Sequence, residues 1–436
     1  MNTERQIFRE IDPLTGDTCV RILHESGLEI RVLEQPAMHT AAAEFAVRYG
    51  SVHTAFIQEG KRIQTPAGVA HYLEHKLFEN EDNGVSARFA AIGASDNAYT
   101  GFDRTVCHFR THRAFPEALA VLLEFVQHPQ ITQGGVEHER GIITQEIVEY
   151  YDDADDRMFF QVLEALYHAC PIRTDVAGTP ESIAQITAEM LLQCHSAFYN
   201  LHNMVLSCAG NVTAAEVLET ADRLLIPAPP FTVQPALPPE PETVFAPYRE
   251  RTMAVGRMQF SLGFKSAPAS GMTQVREKLI CELAADLLTG ACSPFYEQMR
   301  QSGLLPHPLS AEVLCGSEWF AVIFDGESDE PQTVADALCK ECAAALQNGI
   351  DPALLQDLKR AYYRDEITAM QSPEDAAAAL TENWLAGCTS PFARTALLAQ
   401  ITPEEICDVL ARRFRQDRAA LSVILPDDDT DTNDEK

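Results

Sequence analysis

The chain has 436 residues, of which 46% are apolar and 22% are charged, and its formal net charge is −31. A chain of this length usually exceeds one compact core, so we expect two domains of about 200 residues each. The negative charge argues against nucleic acid and anionic membranes as partners and mildly favours basic peptides, although solubility alone also accounts for it.

The termini and the cysteines favour a reducing cytoplasm as the location. The sequence contains no apolar run long enough to span a membrane, and its first residues lack the basic and apolar regions of a secretory signal. The 12 cysteines follow no regular spacing. Cys339 and Cys342 form a C-x-x-C pair inside a helical pattern, where buried thiols are a more common explanation than metal or redox chemistry.

Residue patterns in the first half predict alternating strands and helices. We interpret Thr65-Pro66 as the N-cap and first helical position of the first of these helices. The predicted strands cover 27–33, 45–49, 106–109 and 204–209. The predicted helices follow Thr65-Pro66 and cover 115–127, 136–168 and 213–225.

Residues 227–247 contain eight prolines and predict an extended, semi-rigid linker. After the linker the order of elements repeats, which indicates a duplication. The predicted strands are 257–265, 309–314, 318–325 and 420–425, and the predicted helices are 272–288, 293–302, 331–348, 352–386 and 402–414. The predicted divisions are therefore 1–226, the linker at 227–247, 248–425, and an acidic tail at 426–436 that we expect to be disordered.

The most informative stretch is His71-Tyr72-Leu73-Glu74-His75, in the helix predicted after Thr65-Pro66. Residues three and four apart share a helix face, so His71, Glu74 and His75 point the same way. Two imidazoles at this spacing can bind one zinc ion, and Glu74 can take a proton from a water that the metal activates. The pattern is H-x-x-E-H, the reverse of H-E-x-x-H. The alternative is an amphipathic helix that happens to carry two histidines, and a third ligand would decide between them.

A second acidic stretch supplies candidates for the third ligand. Glu139 and Glu146 are seven residues apart, two helical turns, and so lie on one face of the helix predicted at 136–168. Glu149 lies on the same face and competes with Glu146 for this role; a solvated helix face is the other explanation for Glu139 and Glu149.

With both stretches, the sequence resembles the pitrilysin/insulinase-type metallopeptidases, which include the mitochondrial processing peptidases. Their H-x-x-E-H is followed some seventy residues later by E-R-x-x-x-x-x-E, which matches Glu139 to Glu146. The resemblance implies that Glu146 is the third zinc ligand and that Glu139 supports the site. Two further matches are N-A-Y-T at 97–100 and G-T-P-E-S-I at 178–183, and the resemblance covers most of residues 25–425.

The resemblance also implies a fold and a mode of substrate binding. We expect an α+β protein of two duplicated halves, each a mixed, mainly antiparallel sheet packed with helices, that face each other as a clamshell. Residues 1–226 would be the catalytic, zinc-binding half and 248–425 the non-catalytic half that encloses substrate. Peptides would add as a strand to a sheet edge at Asn97 and Ala98. A turn is the alternative role of Asn97.

The second half departs from the family pattern. Family members often carry an Arg and, seven residues later, a Tyr that helps bind substrate. Here Arg300 fits the Arg, but His307 stands where the Tyr would be. His307 replaces the Tyr, or this support is absent or comes from another chain; Arg300 itself is otherwise a surface helix residue.

These observations predict a Zn²⁺-dependent endopeptidase that hydrolyses peptides or unfolded segments, with Glu74 as the general base. The wording of the motifs resembles a bacterial cytoplasmic branch, whose members are often encoded beside an inactive homologue. We therefore expect peptide substrates and a homodimer or a heterodimer with such a homologue. The alternatives are a non-catalytic peptide-binding or scaffolding subunit, or a protease that matures precursor peptides.

Overall fold

The structure is a computed structural model that describes residues 5–12, 15–79 and 84–427. The strands are β1 (Gln6–Ile11), β2 (Thr18–Leu23), β3 (Glu29–Glu34), β4 (Ala41–Val47), β5 (Ala55–Gln58), β6 (Lys61–Gln64), β7 (Ala94–Thr100), β8 (Thr105–Thr111), β9 (Met204–Gly210), β10 (Gln234–Pro235), β11 (Tyr248–Met253), β12 (Gln259–Ser266), β13 (Ser310–Cys315), β14 (Phe320–Glu327) and β15 (Ala419–Pro426).

The α-helices are α1 (Val69–Phe78), α2 (Gly84–Ile92), α3 (Phe115–Gln127), α4 (Gln133–Asp152), α5 (Ala154–Leu166), α6 (Pro180–Ile183), α7 (Ala188–Phe198), α8 (Ala214–Leu224), α9 (Gly271–Thr289), α10 (Pro294–Gln301), α11 (Pro331–Asn348), α12 (Pro352–Ala369), α13 (Pro373–Leu385), α14 (Ala393–Gln400) and α15 (Pro403–Arg413). No helix in the described ranges combines the length and the apolar character that crossing a bilayer requires.

The chain forms two compact units. The first comprises residues 1–147, 175–237 and 365–393, and the second comprises 148–174, 238–364 and 394–436, as far as these residues are described. The first unit contains a seven-stranded sheet of order β1-β2-β3-β9-β4-β8-β7 and a small sheet of order β10-β5-β6. Helices α1, α2 and α3 pack against β7 and β8, and α13 packs against β4 and β9.

The second unit contains a five-stranded sheet of order β11-β15-β12-β14-β13. Helix α5 packs against β11, β12 and β15, whereas α9 packs against β13 and α15 packs against β12. Its core is built from apolar side chains of the strands and of α9, α11 and α15, among them Phe260, Leu279, Val322 and Ile406.

The two large sheets share one topology, which is the clearest sign of duplication. In the first unit β3 runs parallel to β9, and the pairs β9·β4, β4·β8 and β8·β7 are antiparallel. In the second unit β11 runs parallel to β15, and β15·β12, β12·β14 and β14·β13 are antiparallel. The first unit adds β1 and β2 at one end. The predicted α+β class, with a mixed and mainly antiparallel sheet in each duplicated half, is confirmed.

The units do not coincide with the divisions predicted from the sequence. Helix α5 precedes the linker but belongs to the second unit, where Gln161 Nε2 donates to Ser422 Oγ at 2.9 Å. Helix α13 follows the linker but belongs to the first unit, where Arg31 donates to the carbonyl of Cys388 just beyond it, at 2.6 Å. Periodicity shows that a helix has an apolar face, but it does not show which sheet that face packs on.

The proline-rich segment is anchored at both ends. Gln234 pairs with Ile57 of β5 in the first unit. In the second unit the Glu240 carboxylate accepts hydrogen bonds from the backbone N–H groups of residues 168–170 and from Lys265. The boundary between the units falls between Leu237 and Pro238.

Two predicted long helices are each two helices. The prediction at 136–168 becomes α4 and α5, because Asp153 accepts hydrogen bonds from the backbone N–H groups of Asp155 and Asp156 and so caps a new helix. The prediction at 352–386 becomes α12 and α13, because Ser372 caps and Pro373 starts the second. Of the predicted acidic tail, residues 428–436 lie outside the described residues.

Candidate metal centre

Helix α1, which carries the H-x-x-E-H stretch, begins later than the sequence indicates. Its N-cap is Gly68, at φ 89°, and Val69 is the first helical residue. The predicted start at Thr65-Pro66 is therefore wrong: the Thr65 hydroxyl instead donates to the carbonyl of Thr54 at 3.3 Å. Glycine suits this position for two reasons. Residues with a side chain rarely adopt this left-handed conformation, and a Cβ here would collide with the carbonyl oxygen of Ala177.

Packing fixes the orientation of α1. Tyr72 and Leu73 are fully buried, and the Tyr72 hydroxyl donates to the backbone carbonyl of Val136 on α4. Burying this face of α1 turns His71 and His75 toward the neighbouring helix. The two rings lie 4.6 Å apart between centroids with an interplanar angle of 64°.

His71, His75 and Glu146 come together although 71 residues separate His75 from Glu146. One possible ligand atom from each lies within 4.8 Å of the others. Nε2 of His71 is 3.6 Å from Oε1 of Glu146, and Nε2 of His75 is 3.5 Å from Oε2. Ligand atoms about 2.1 Å from a tetrahedral zinc ion would be about 3.4 Å apart, so these separations and this donor set fit zinc.

Glu139 fixes the second histidine. Its Oε1 lies 2.9 Å from Nδ1 of His75, which donates because a carboxylate only accepts. This leaves Nε2 of His75 as the nitrogen that faces Glu146. Although burial lowers the pKa of His75, the bond to Glu139 and the charges of Glu146 and Glu74 outweigh burial and raise it. The bond from His75 in turn lowers the pKa of Glu139.

The remaining acids of the predicted site are placed as follows. Glu74 is 9% exposed, and its Oε2 accepts a hydrogen bond from the Thr100 hydroxyl at 2.6 Å. Glu149, the competing ligand candidate, is an exposed residue one turn beyond Glu146. The geometry therefore favours Glu146 over Glu149, and the role of each stays a prediction.

Asn97 and Ala98 lie on β7, which is one of the two edge strands of the seven-stranded sheet, opposite β1. Asn97 is exposed, and its Oδ1 accepts a hydrogen bond from the Ala98 backbone N–H at 2.9 Å. Both residues therefore lie at a sheet edge, as predicted. Binding of a peptide at this edge stays a prediction.

Arg300 and His307 lie in the second unit. Arg300 is at the end of α10, where its guanidinium pairs with Glu297 at 3.0 Å, and both Arg300 and His307 are exposed. A role for either in substrate binding stays a prediction.

Sequence reasoning did not single out Thr100, although it is the last residue of the N-A-Y-T match. It also did not find a second group, His24, Glu25 and Asp222, which has metal-compatible spacing among the described residues. There Arg5 already supplies the positive charge: its guanidinium bonds Asp222 and lies 3.3 Å from Glu25.

Comparison with known proteins gives one family for both halves. The family model described as insulinase, peptidase family M16, matches residues 36–179. The model described as peptidase M16 inactive domain matches residues 185–362. The chain is 31% identical over 409 residues to "Uncharacterized zinc protease YmfH" of Bacillus subtilis, covering 92% of this chain and 95% of that one.

Solved structures agree. The crystal structure of an M16-like peptidase from Alicyclobacillus acidocaldarius is similar with a TM-score of 0.89 and 29% identity, covering 98% of this chain and all of that one. Pitrilysin is similar in fold, with a TM-score of 0.76 and 17% identity over 97% of this chain and 46% of its own. By its match to the insulinase model and its 31% identity to the Bacillus subtilis protein over nearly all of both chains, the chain belongs to the insulinase family, peptidase family M16.

Proposed function

We propose that the protein is a zinc-dependent endopeptidase acting on peptides or unfolded segments. The observation that carries this proposal is that His71 and His75 of α1 meet Glu146 of α4, with Glu74 next to His75 on α1. Zinc bound there would supply Lewis acidity, lowering the pKa of a water to about 7 and polarising the scissile carbonyl. In the mechanism, the residues of this chain bind the metal, hold the peptide and move the proton.

Glu74 is the general base of the proposed reaction. Its carboxylate accepts a proton from the attacking water and then gives it to the leaving amine. Glu139 keeps Nδ1 of His75 protonated, so that Nε2 is the nitrogen available as a ligand. Neither step requires a side chain from the second unit.

The peptide is proposed to add as a strand beside β7, because β7 is an edge strand and carries Asn97 and Ala98. Main-chain hydrogen bonds would hold it with little reading of its sequence. The halves would close around it as the two walls of a chamber, so extended peptides would be cleaved and tightly folded proteins would not.

We further propose a cytoplasmic location and a homodimer or a heterodimer with an inactive homologue. All 12 cysteines lie in the described part of the chain, and each is a free thiol, which suits a reducing compartment. Maturation of precursor peptides is a narrower form of the same activity.

The rival is a non-catalytic, peptide-binding subunit. It gains support from the match of residues 185–362 to a domain described as inactive, whereas the site lies in the part that matches the insulinase model. The two proposals differ in one measurable property: the endopeptidase would hydrolyse the peptides that it binds, and the non-catalytic subunit would not.

The test is to incubate the purified, zinc-loaded protein with a peptide mixture and to identify products by mass spectrometry. Hydrolysis should stop with a chelator and return with zinc. Glu74→Gln should retain zinc and lose hydrolysis, since an amide cannot accept the proton. Glu137→Gln, an exposed position on α4, is the matched control and should behave as wild type. A wild-type protein that binds zinc and peptides without any cleavage would establish the rival.

A further inference from the structure

One oxygen of the Glu74 carboxylate is already engaged. The Thr100 hydroxyl lies 2.6 Å from Oε2 of Glu74, a separation typical of a hydroxyl that donates to a charged carboxylate. Glu74 is a buried residue of α1, so its carboxylate makes this hydrogen bond where little water can reach it.

The direction of this hydrogen bond follows from its neighbours. Oγ1 of Thr100 also lies 3.4 Å from Oγ1 of Thr105, which is directly opposite in the β7–β8 pairing. Thr105 gives its single hydroxyl proton to the carbonyl of Tyr49 at 2.9 Å and has none left for Thr100. The Thr100 proton therefore goes to Glu74, which is the closer acceptor and the one that carries charge.

The backbone fixes the position of Thr100. It is the last residue of β7, paired with β8, and a β-branched side chain there has few rotamers. Long acidic side chains, by contrast, have several. The group that restrains Glu74 is therefore held in place by the backbone of a paired strand and does not depend on a second flexible side chain.

We propose that Thr100 is a positioning residue for Glu74: its hydroxyl holds Oε2, so that Oε1 is the oxygen that takes the proton. This inference rests on the proposed function. It has a consequence for substrate binding, because β7 is also the edge strand to which the peptide is proposed to add. The strand that sets the register of the peptide would also set the direction of the base.

The test compares Thr100→Val, Thr100→Ser and a control, Thr111→Val. Valine keeps the shape of threonine but removes the hydroxyl, and serine keeps the hydroxyl. Thr111 is a buried threonine of the neighbouring strand, and its hydroxyl donates to the carbonyl of Arg113 rather than to Glu74. Thr111→Val therefore measures how the loss of a buried hydroxyl from this sheet affects kcat, KM and zinc affinity when Glu74 is not its partner.

We expect Thr100→Val to lower kcat by about 10- to 100-fold, as loss of a hydrogen bond to a charged group would, with KM and zinc affinity within about twofold of wild type. Thr100→Ser should recover kcat to within about threefold, and Thr111→Val should leave kcat, KM and zinc affinity near wild type. Unchanged kcat in Thr100→Val, serine no better than valine, or loss of zinc from Thr100→Val would each overturn the proposal.

A readout that needs no activity separates this inference from the proposed function. Crystal structures of the metal-free variants should show the Glu74 carboxylate rotated in Thr100→Val and unrotated in Thr100→Ser. An unrotated carboxylate in Thr100→Val would overturn the positioning role. If the wild-type protein hydrolyses no peptide, the proposed function fails, and these structures still decide what Thr100 does.

Discussion

Glu139 lies 2.9 Å from Nδ1 of His75, a contact that joins α4 to the helix carrying both histidines. Nε2 of the same ring lies 3.5 Å from Glu146, which is two turns further along the same face of α4. The two nitrogens of the His75 ring therefore face two different carboxylates of α4, Glu139 and Glu146. Each carboxylate has a separate role that can be tested.

Glu146→Ala should release zinc, because it removes one of the three side chains that come within reach of one ion. Glu149→Ala should keep zinc, since Glu149 is an exposed residue one turn away. The measurement is metal content after dialysis against zinc-free buffer. If only the Glu149 variant lost zinc, the ligand assignment would be wrong.

Glu139→Gln should weaken zinc binding by about 10- to 100-fold without abolishing it, as expected for a residue that orients a ligand. The amide can still accept from Nδ1 of His75 but carries no charge. Competition with a chromogenic chelator measures the affinity. Glu137→Gln on the exposed side of α4 is the control, and an unchanged affinity in Glu139→Gln would show that the contact has no part in metal binding.

Gly68→Ala should destabilise the first unit and weaken zinc binding. The added Cβ would meet the carbonyl of Ala177, and φ 89° is unfavourable for alanine, which together cost on the order of 1–3 kcal/mol or more. Because Gly68 is the N-cap of α1, relief of the collision would shift His71. Thermal unfolding and zinc titration report the two effects.

Gly141→Ala is the matched control for Gly68→Ala. Gly141 lies within α4, and a Cβ there would meet nothing within 4 Å. Alanine in a helix interior is favoured over glycine by about 1 kcal/mol, so this variant should be as stable as wild type or more so. Equal losses in both variants would mean that the conformation of Gly68 is not required.

Glu44 should make stability fall as pH rises toward 7. Burial raises its pKa to about 7, against the opposing effects of the Thr381 hydroxyl and the charge of Arg104. The folded protein therefore holds this proton more tightly than the unfolded chain, whose glutamates titrate near 4.3. The stabilisation is complete below that value and is lost as pH rises through the folded pKa.

Glu44→Gln removes this titration. Relative to wild type, the variant should gain about 3 kcal/mol of stability between pH 4.5 and pH 8.5. Denaturant unfolding at both pH values measures the gain. Glu374→Gln, a more exposed carboxylate 3.1 Å from Arg110, is the control and should show little change. A constant difference between Glu44→Gln and wild type at the two pH values would contradict the raised pKa.

Much of the local structure could be predicted from the sequence because its causes are local. Helix α3 has the predicted bounds, 115–127, since its apolar spacing and Pro116 mark it without help from other elements. The spacing of His71, Glu74 and His75 is likewise a property of one helix. The start of α1 could not be predicted, because Thr65-Pro66 is a typical start and only the left-handed turn at Gly68 displaces it.

By itself the sequence determined the kinds of elements, their duplicated order, and two helices that each carry candidate ligands on one face. These follow from residue spacing and from side-chain chemistry. Only the tertiary structure decided that Glu146 faces both histidines, that Glu139 takes the other nitrogen of His75, and that Thr100 holds Glu74. It also decided that α5 and α13 pack on sheets formed by the opposite half of the sequence. Such contacts join residues far apart in the chain, and complementary packing selects them, which no local pattern encodes.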